Sequence, residues 1–408
     1  MLLLLALACK PSEDTSVDPD ETGETDVVDT DEVDRRWTFL VFMNGDNDLE
    51  SYVSHDLNEL EQVGSVPGVD VIVQADRSPD YVTDDGDWTG TRRYHIEPDG
   101  DLTTIHSPIV EDLGEVDMGD PAVLSDFLVW ADETYPADHV AVILWDHGDG
   151  WTLAGAAQNA VSWDEGTGND IAIAGNELVP ALKVLTDRRG EKIDLLSFDA
   201  CNMAFFEVAY ALSPVADYLV ASQAWVGDEG VLYGTVLGQL RDEPTATTLD
   251  IALTMSSTQV TEGGERTSSV TDLSQMPALA RAVDAFALAA LADDASTQRV
   301  ADARAVAGSA DRVFHDAYLD LADLGSVLAS DPDLAVEASA LVDATHAAVP
   351  GAWGDTRHAF VSGLSINTDT GRWMRREGFE IYHGGPGATW SQDTHWDELL
   401  GAILKAEH

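Results

Sequence analysis

Two side chains in this sequence have the types and the setting that nucleophilic catalysis requires. His147 stands in Asp146-His147-Gly148-Asp149-Gly150-Trp151, and Cys201 stands in Asp199-Ala200-Cys201-Asn202-Met203. Each segment directly follows an apolar run, His139-Val-Ala-Val-Ile-Leu-Trp145 and Ile193-Asp-Leu-Leu-Ser-Phe198. An imidazole beside a thiol takes its proton and leaves a thiolate, the attacking form of cysteine. Gly148 leaves the backbone beside the imidazole unhindered, so its N–H and that of Cys201 could together form an oxyanion hole. Taken singly, a cysteine after a strand is more often a small core residue, and a histidine more often a satisfied polar one. It is the pair, after consecutive buried runs and with no other cysteine in the folded part, that points to chemistry. The sequence contains no H-E-x-x-H, no P-loop and no G-x-G-x-x-G.

The elements that must position this pair alternate. Trp37–Met43, Val69–Ala75, His139–Trp145, Ile193–Phe198 and Tyr218–Ser222 read as buried strands, rich in β-branched and aromatic residues. Helical periodicity falls between them, at 48–63, 121–134, 175–189 and 203–213, with an Asp- and Gly-rich loop or hairpin at 80–118. Strands separated by helices predict an α/β fold with a mostly parallel sheet covered on both faces. In such sheets sites form outside the carboxyl ends of the strands, and neighbouring strands lie about 4.8 Å apart. His147 and Cys201 are then expected on one rim, with Cys201 next to the N-terminus of a helix that would favour the thiolate. From 246 to 349 alanine dominates and only amphipathic helices are expected, followed by a late strand at 363–367.

Composition narrows the partners. The 408 residues carry 75 Asp+Glu against 21 Lys+Arg, a formal charge of −54. A surface that acidic repels nucleic-acid phosphates and anionic headgroups, and it favours cationic partners. Hydrophobic content of 44% is a globular value. The two cysteines are too few for a disulfide-stapled scaffold or a multi-cysteine zinc site.

The His-Gly and Asp-Ala-Cys segments together resemble the clostripain family of cysteine peptidases, which share the caspase-like α/β fold with gingipains, legumain and caspases. Further segments fit the same family: Asn44-Gly-Asp-Asn-Asp-Leu-Glu50, Asn58-Glu-Leu-Glu, Val71-Ile-Val-Gln-Ala-Asp76, Glu207-Val-Ala-Tyr-Ala-Leu, Thr267-Ser-Ser-Val-Thr-Asp-Leu-Ser274, Tyr318-Leu-Asp-Leu321 and Gly363-Leu-Ser-Ile366. The resemblance covers roughly residues 37–367. It implies a dyad, with His147 as general base and Cys201 as nucleophile, hydrolysing peptide bonds through a thioester acyl-enzyme. Protein or peptide substrates are the partners it implies.

The family typically cuts after Arg or Lys, and a basic side chain calls for a carboxylate in its pocket. Asp199 is the candidate by motif; Asp228 and Glu229, in the loop after the fifth strand, are candidates by position. The competing reading of Asp199 is a structural carboxylate that accepts backbone N–H groups. Gln223 and Ala224 stand where relatives carry acids, which predicts a relaxed preference for basic residues. Many relatives mature by self-cleavage in the loop after the catalytic histidine. Here no Lys or Arg occurs between His147 and Lys183, so the chain is expected to stay intact there. Some relatives depend on calcium. Asp84-Asp-Gly-Asp87 and Asp46-Asn-Asp48 offer hard oxygen ligands without EF-hand spacing, and the competing reading is solvated surface acid.

Met1-Leu-Leu-Leu-Leu-Ala-Leu-Ala-Cys9 is too short to span a bilayer and resembles the end of a bacterial lipoprotein signal, with Cys9 the acylated residue. The alternative is an ordinary apolar N-terminus. Residues 11–34 hold eleven acids, no base and almost no large apolar side chains, a self-repelling tether. The expected organisation is therefore a signal at 1–9, an acidic tether at 10–36, a caspase-like catalytic core at 37–245, and a helical portion at 246–408 packed on the core. An exported peptidase, lipid-anchored at the bacterial cell envelope or secreted, is the leading expectation. A non-catalytic surface lipoprotein that uses the domain for binding, and a thiol hydrolase acting on a non-peptide acyl bond, are the alternatives.

Overall fold

The computed structural model describes residues 37–151, 160–310 and 317–407. The signal, Cys9 and the tether lie outside them. In chain order the strands are β1 (Trp37–Gly45), β2 (Val69–Arg77), β3 (Gly90–His95), β4 (Ile109–Gly114), β5 (His139–Trp145), β6 (Val161–Asp164), β7 (Asn169–Ile171), β8 (Ile193–Asp199), β9 (Ala216–Ala221), β10 (Thr267–Asp272), β11 (Tyr318–Asp320), β12 (Gly351–Gly354) and β13 (Ser365–Asn367).

Nine of these form one sheet in the order β12-β10-β9-β8-β5-β1-β2-β3-β4. The five central strands, β9, β8, β5, β1 and β2, are parallel. The hairpin β3–β4 extends one edge antiparallel, and β10 and β12 extend the other. The sheet is thus mixed α/β and mostly parallel, as the alternating pattern predicts. The chain moves outward from β1 to β2, then returns to place β5 on the other side of β1. This makes β1/β5 the switch point, where crevices open at the carboxyl ends of strands.

Both faces are buried, which is why the strands read as continuous apolar runs rather than alternating ones. Phe39, Val41 and Met43 of β1 pack on one side with Val53 and Leu57 from the helix Glu50–Glu61, and with Leu237 and Ile251 from the helices Tyr233–Asp242 and Thr248–Thr261. Leu40 and Phe42 face the other side, against Leu124 and Phe127 of the helix Pro121–Thr134 and Leu182 of Leu178–Arg189. The Ala-rich helices Met276–Ala290 and Ala335–Ala348 join that second core.

The expectation of helices alone between 246 and 349 is corrected: β10 and β11 fall inside that range. β10 reads Thr-Ser-Ser-Val-Thr-Asp, and its buried side chains are mostly hydroxyls, so no apolar signal marks it. Ser268, for example, is held by Ser256 at 2.9 Å and Gln259 at 2.5 Å. The late strand, β13, pairs with β11 in a separate two-stranded sheet. At the far edge, β4 is mostly exposed, with Ile109 and Val110 in solvent. Among the described residues no helix is long and apolar enough to cross a membrane.

Candidate active site

β5 and β8 are neighbours, paired in register Trp145↔Asp199. His147 and Cys201 therefore leave the sheet at the same height, two residues beyond matched positions. Both line one cavity of about 350 Å³ at the carboxyl ends of these strands. The two turns are packed tightly: a Cβ on Gly148 would lie 2.6 Å from the Cys201 carbonyl oxygen and 3.0 Å from Met203 Sδ. Only glycine fits beside the histidine, and its close approach brings the Gly148 and Cys201 segments together.

The helix after Cys201 begins at Phe206 and runs only to Leu212. Cys201 sits instead in a turn whose next residue, Asn202, adopts φ 53°. The expected support of the thiolate by an adjoining helix N-terminus is thereby withdrawn. The Cys201 sulfur meets the loop after β9 instead, accepting from the Val226 N–H at 3.4 Å and lying 3.9 Å from the Val226 carbonyl.

His147 is partly buried, and its Nε2 lies 2.8 Å from Asp48 Oδ1. Asp48 comes from the turn after β1, the strand beside β5. The same turn supplies Asn47, whose amide donates to Asp146 Oδ1 and to the Trp163 carbonyl, each at 2.8 Å. Asp146 is wholly buried, accepts the Trp163 N–H as well, and is held well above the ordinary carboxylate range by burial and then by the charge of Asp48. The residue before the histidine thus ties its turn to the neighbouring strand.

Asp199 lines the cavity but its carboxyl is engaged. It accepts from the Val231 N–H at 3.1 Å and from the Tyr233 hydroxyl at 2.9 Å, and Gly230 leaves it room, since a Cβ there would lie 2.4 Å from Asp199 Oδ1. Burial pushes it up to about 8, so near neutral pH it is mostly protonated and offers little charge. Asp228 is an exposed acid on the cavity wall, in hydrogen-bond reach of Tyr52. Glu229 is exposed, does not line the cavity, and acts electrostatically on His55 and Asp56. Gln223 and Ala224 turn inward. The Gln223 amide binds Asp320, Ser365 and Gly363 at 3.0–3.1 Å, and neither residue lines the cavity. Their lack of charge therefore leaves the acidity of the cavity untouched.

Sequence reasoning missed Asp48, Asp56 and Trp225. Asp56 is a buried cavity carboxyl held by Trp145 Nε1 at 2.6 Å, raised by burial. Trp225 forms an exposed apolar wall. The rule that sites lie at strand ends applied equally to the turn after β1, and would have found Asp48.

Of the metal candidates, Asp84 pairs with Arg77 at 2.6 Å and Asp85 accepts from Trp88 and Ile105, so these two acids spend oxygens on the protein. Asp46 belongs to a different group, with Glu115 and Asp164, whose oxygens lie within 4.8 Å of one another. In a second group His383 already pairs with Asp397.

A thiol and an imidazole sharing a cavity at the rim of such a sheet define the thiol-hydrolase class of α/β site. The model of the clostripain family, peptidase family C11, matches residues 41–347, and the chain belongs to that family. It is similar to the clostripain of Hathewaya histolytica, 29% identical over 231 residues that cover 50% of this chain. The match spans 42% of the length of that curated relative. Among solved structures it is similar to a secreted C11 cysteine protease from Bacteroides thetaiotaomicron in complex with an irreversible peptide inhibitor, with a TM-score of 0.63 at 22% identity over 87% of this chain and 99% of that one. An inactive zymogen C11 protease from Parabacteroides distasonis gives a TM-score of 0.63 at 20% identity, over 89% and 97%. At these identities the solved structures show the shared fold.

Proposed function

We propose that this protein is a cysteine endopeptidase in which Cys201 attacks the scissile carbonyl and His147 moves the proton. The observation that carries the reading is that both side chains line one cavity at the ends of register-matched neighbouring strands. With Nε2–H donating to Asp48, the lone pair free to take the thiol proton is on Nδ1. The S–C bond forms as the carbonyl oxygen gains charge, which the Gly148 and Cys201 N–H groups are assigned to stabilise. The imidazolium then gives its proton to the leaving amine as the C–N bond breaks. Water, deprotonated by the same imidazole, cleaves the thioester and restores the thiol.

A preference for a basic P1 side chain rests on Asp228, an exposed cavity carboxyl; Asp56 and Asp199 also line the cavity but are buried and held by the protein. Asp228 is the residue we assign to the contact with a cation, and the Tyr52 hydroxyl lies beside it. All cavity residues fall between 49 and 230, so the chemistry is assigned to the core at 37–245, with 246–408 packed on it. Export to the bacterial cell envelope, with Cys9 lipidated and 10–36 as tether, completes the reading; the word "secreted" describes the Bacteroides relative.

The test is turnover of Arg-, Lys- and small-residue peptide amides under reducing conditions, beside Cys201→Ala. The alanine variant is expected to lose at least about 10⁴-fold in rate with unchanged melting. Turnover that survives the substitution defeats the mechanism, and no turnover of any peptide favours a binding module.

A further inference from the structure

Most histidines among the described residues face a carboxylate, and one differs from the rest. His95 meets Asp70, His106 meets Asp99, His139 meets Asp194 and His395 meets Asp284, each one imidazole to one carboxylate at 2.6–3.0 Å. His383 meets two. It stands near the end of the helix Phe379–Gly384, and Asp397 and Glu398 open the helix Trp396–Ala406. One ligand atom from each of the three lies within 4.8 Å of the others, and among the described residues no other such group holds a histidine.

Acids in the first turn of a helix are ordinary, because they face its positive end. Asp397 is placed differently. It is fully buried, Oδ2 contacts His383 Nδ1, and Oδ1 makes no hydrogen bond. The Glu398 carboxyl stands within hydrogen-bond reach of it. Two carboxyls meet that closely only when a proton or a cation lies between them. No Lys or Arg leads the charges acting on Asp397 or His383; those are Glu380, Glu398 and one another. His383 is supported from behind. Its ring stacks on Phe379, one helical turn earlier, with centroids 5.7 Å apart and planes 4° from parallel. Phe379 in turn packs on Gly401, where a Cβ would lie 2.7 Å from the ring. The two helices are thus set at the separation that brings the three side chains together.

We propose that His383, Asp397 and Glu398 bind one divalent cation of the zinc class, which clips the helix Phe379–Gly384 to the helix Trp396–Ala406. One imidazole nitrogen with two carboxylate oxygens suits zinc and its neighbours, whereas calcium and magnesium take oxygen. Zinc bonds of about 2.1 Å set ligand atoms about 3.4 Å apart in a tetrahedron. Admitting the ion requires the imidazole to draw back from Asp397 by sliding over Phe379, which its half-exposed position permits. The ion then takes the place of the proton between them. Water completes the coordination. None of the three residues lines the catalytic cavity, so the clip is separate from peptide hydrolysis.

The experiment uses the full chain with Cys9→Ala and Cys201→Ala, so that no thiol competes for the metal and the outcome is independent of the peptidase reading. Calcium chloride is kept in excess, so that all-oxygen acidic sites hold an ion other than the probe. Protein freed of transition metals with a chelator is titrated with zinc chloride by calorimetry, and its melting is followed with and without zinc. One saturable site and a higher melting temperature are expected. His383→Gln keeps a donor for Asp397 but is a poor zinc ligand. It is expected to weaken binding at least about a hundredfold and to remove the effect of zinc on melting, while melting without zinc stays the same. Glu398→Gln, at an exposed position, is expected to weaken binding about tenfold. His106→Gln, which removes a half-exposed histidine with a single acid partner, is expected to bind as the parent does. No saturable heat, zinc held by His383→Gln or Glu398→Gln as tightly as by the parent, or an equal loss in His106→Gln overturns the proposal.

Discussion

The two sides of the switch point differ in how far their buried acids are supplied with partners. Beyond β5 and β8, Asp146 and Asp199 are enclosed but supplied with donors: Asn47 and Trp163 for one, Val231 and Tyr233 for the other. Beyond β1 and β2, Asp46 and Asp164 lie together with Glu115 and accept backbone N–H groups, while buried Asp76 feels their charge and has one oxygen without a partner. A buried carboxyl that is given hydrogen bonds can act as a strut, because its protonation state is decided by the protein. Carboxyls buried side by side also raise one another, each holding its proton more tightly for the charge of the next. The difference teaches that burial alone does not assign a role to an acid; the inventory of its partners does.

The comparison breaks first at Asp48, which lies on the turn between the two sides. Asp48→Asn keeps the shape but weakens the hold on imidazolium. The expected result is a fall in kcat of about tenfold with KM unchanged. Unchanged kcat would reduce the contact to a surface ion pair.

Stability against pH sharpens the contrast next. Burial pushes Asp199 up to about 8, and Glu59 and Glu207 up to about 7, from 3.8 and 4.5. Between those limits the folded state holds more protons than the unfolded one, so stability falls as pH rises. It is fully present below the unfolded values and lost as pH passes the folded ones. Denaturant melts from pH 4 to 8 should show this fall. Asp199→Asn should flatten it by up to about 1.4 kcal/mol per pH unit. A slope left unchanged would mean that Asp199 is ionised in its nest.

The smallest expected effect is no effect. The segment from His147 to Asp164 joins the two sides, and residues 148–182 contain no Lys or Arg. Purified active protein should remain one chain across 148–182 on denaturing gels. A cut there, absent from Cys201→Ala, would show that the site accepts non-basic residues and that the two sides can be severed.

Much of this was legible in the sequence. Strands buried on both faces announce themselves as apolar runs, which is how β1, β2, β5, β8 and β9 were found. His147 and Cys201 were visible because each directly follows such a run. The strand-end rule reaches Asp48 too, but its pairing with His147 depends on β1 lying beside β5, and lateral strand order is set by tertiary packing. In sequence Asp199 fits a pocket acid or a structural one equally, and the loop at 230–233 supplies its partners only once folded. Gln223 looked like a change in the pocket, yet its side chain is spent on β11 and β13. β10 escaped because hydroxyl pairs, rather than apolar burial, fill its place.

The open flank at β4 has a practical consequence. Ile109 and Val110 stand in water on a ladder with a free side, while Glu111 and Asp112, paired with Arg93 and Arg92, follow them. Such a flank invites another molecule's strand to dock. In this protein long-range repulsion between strongly anionic copies is the guard. Acidification or concentrated salt removes that guard, so those are the conditions under which self-association should begin, and it should begin at this margin.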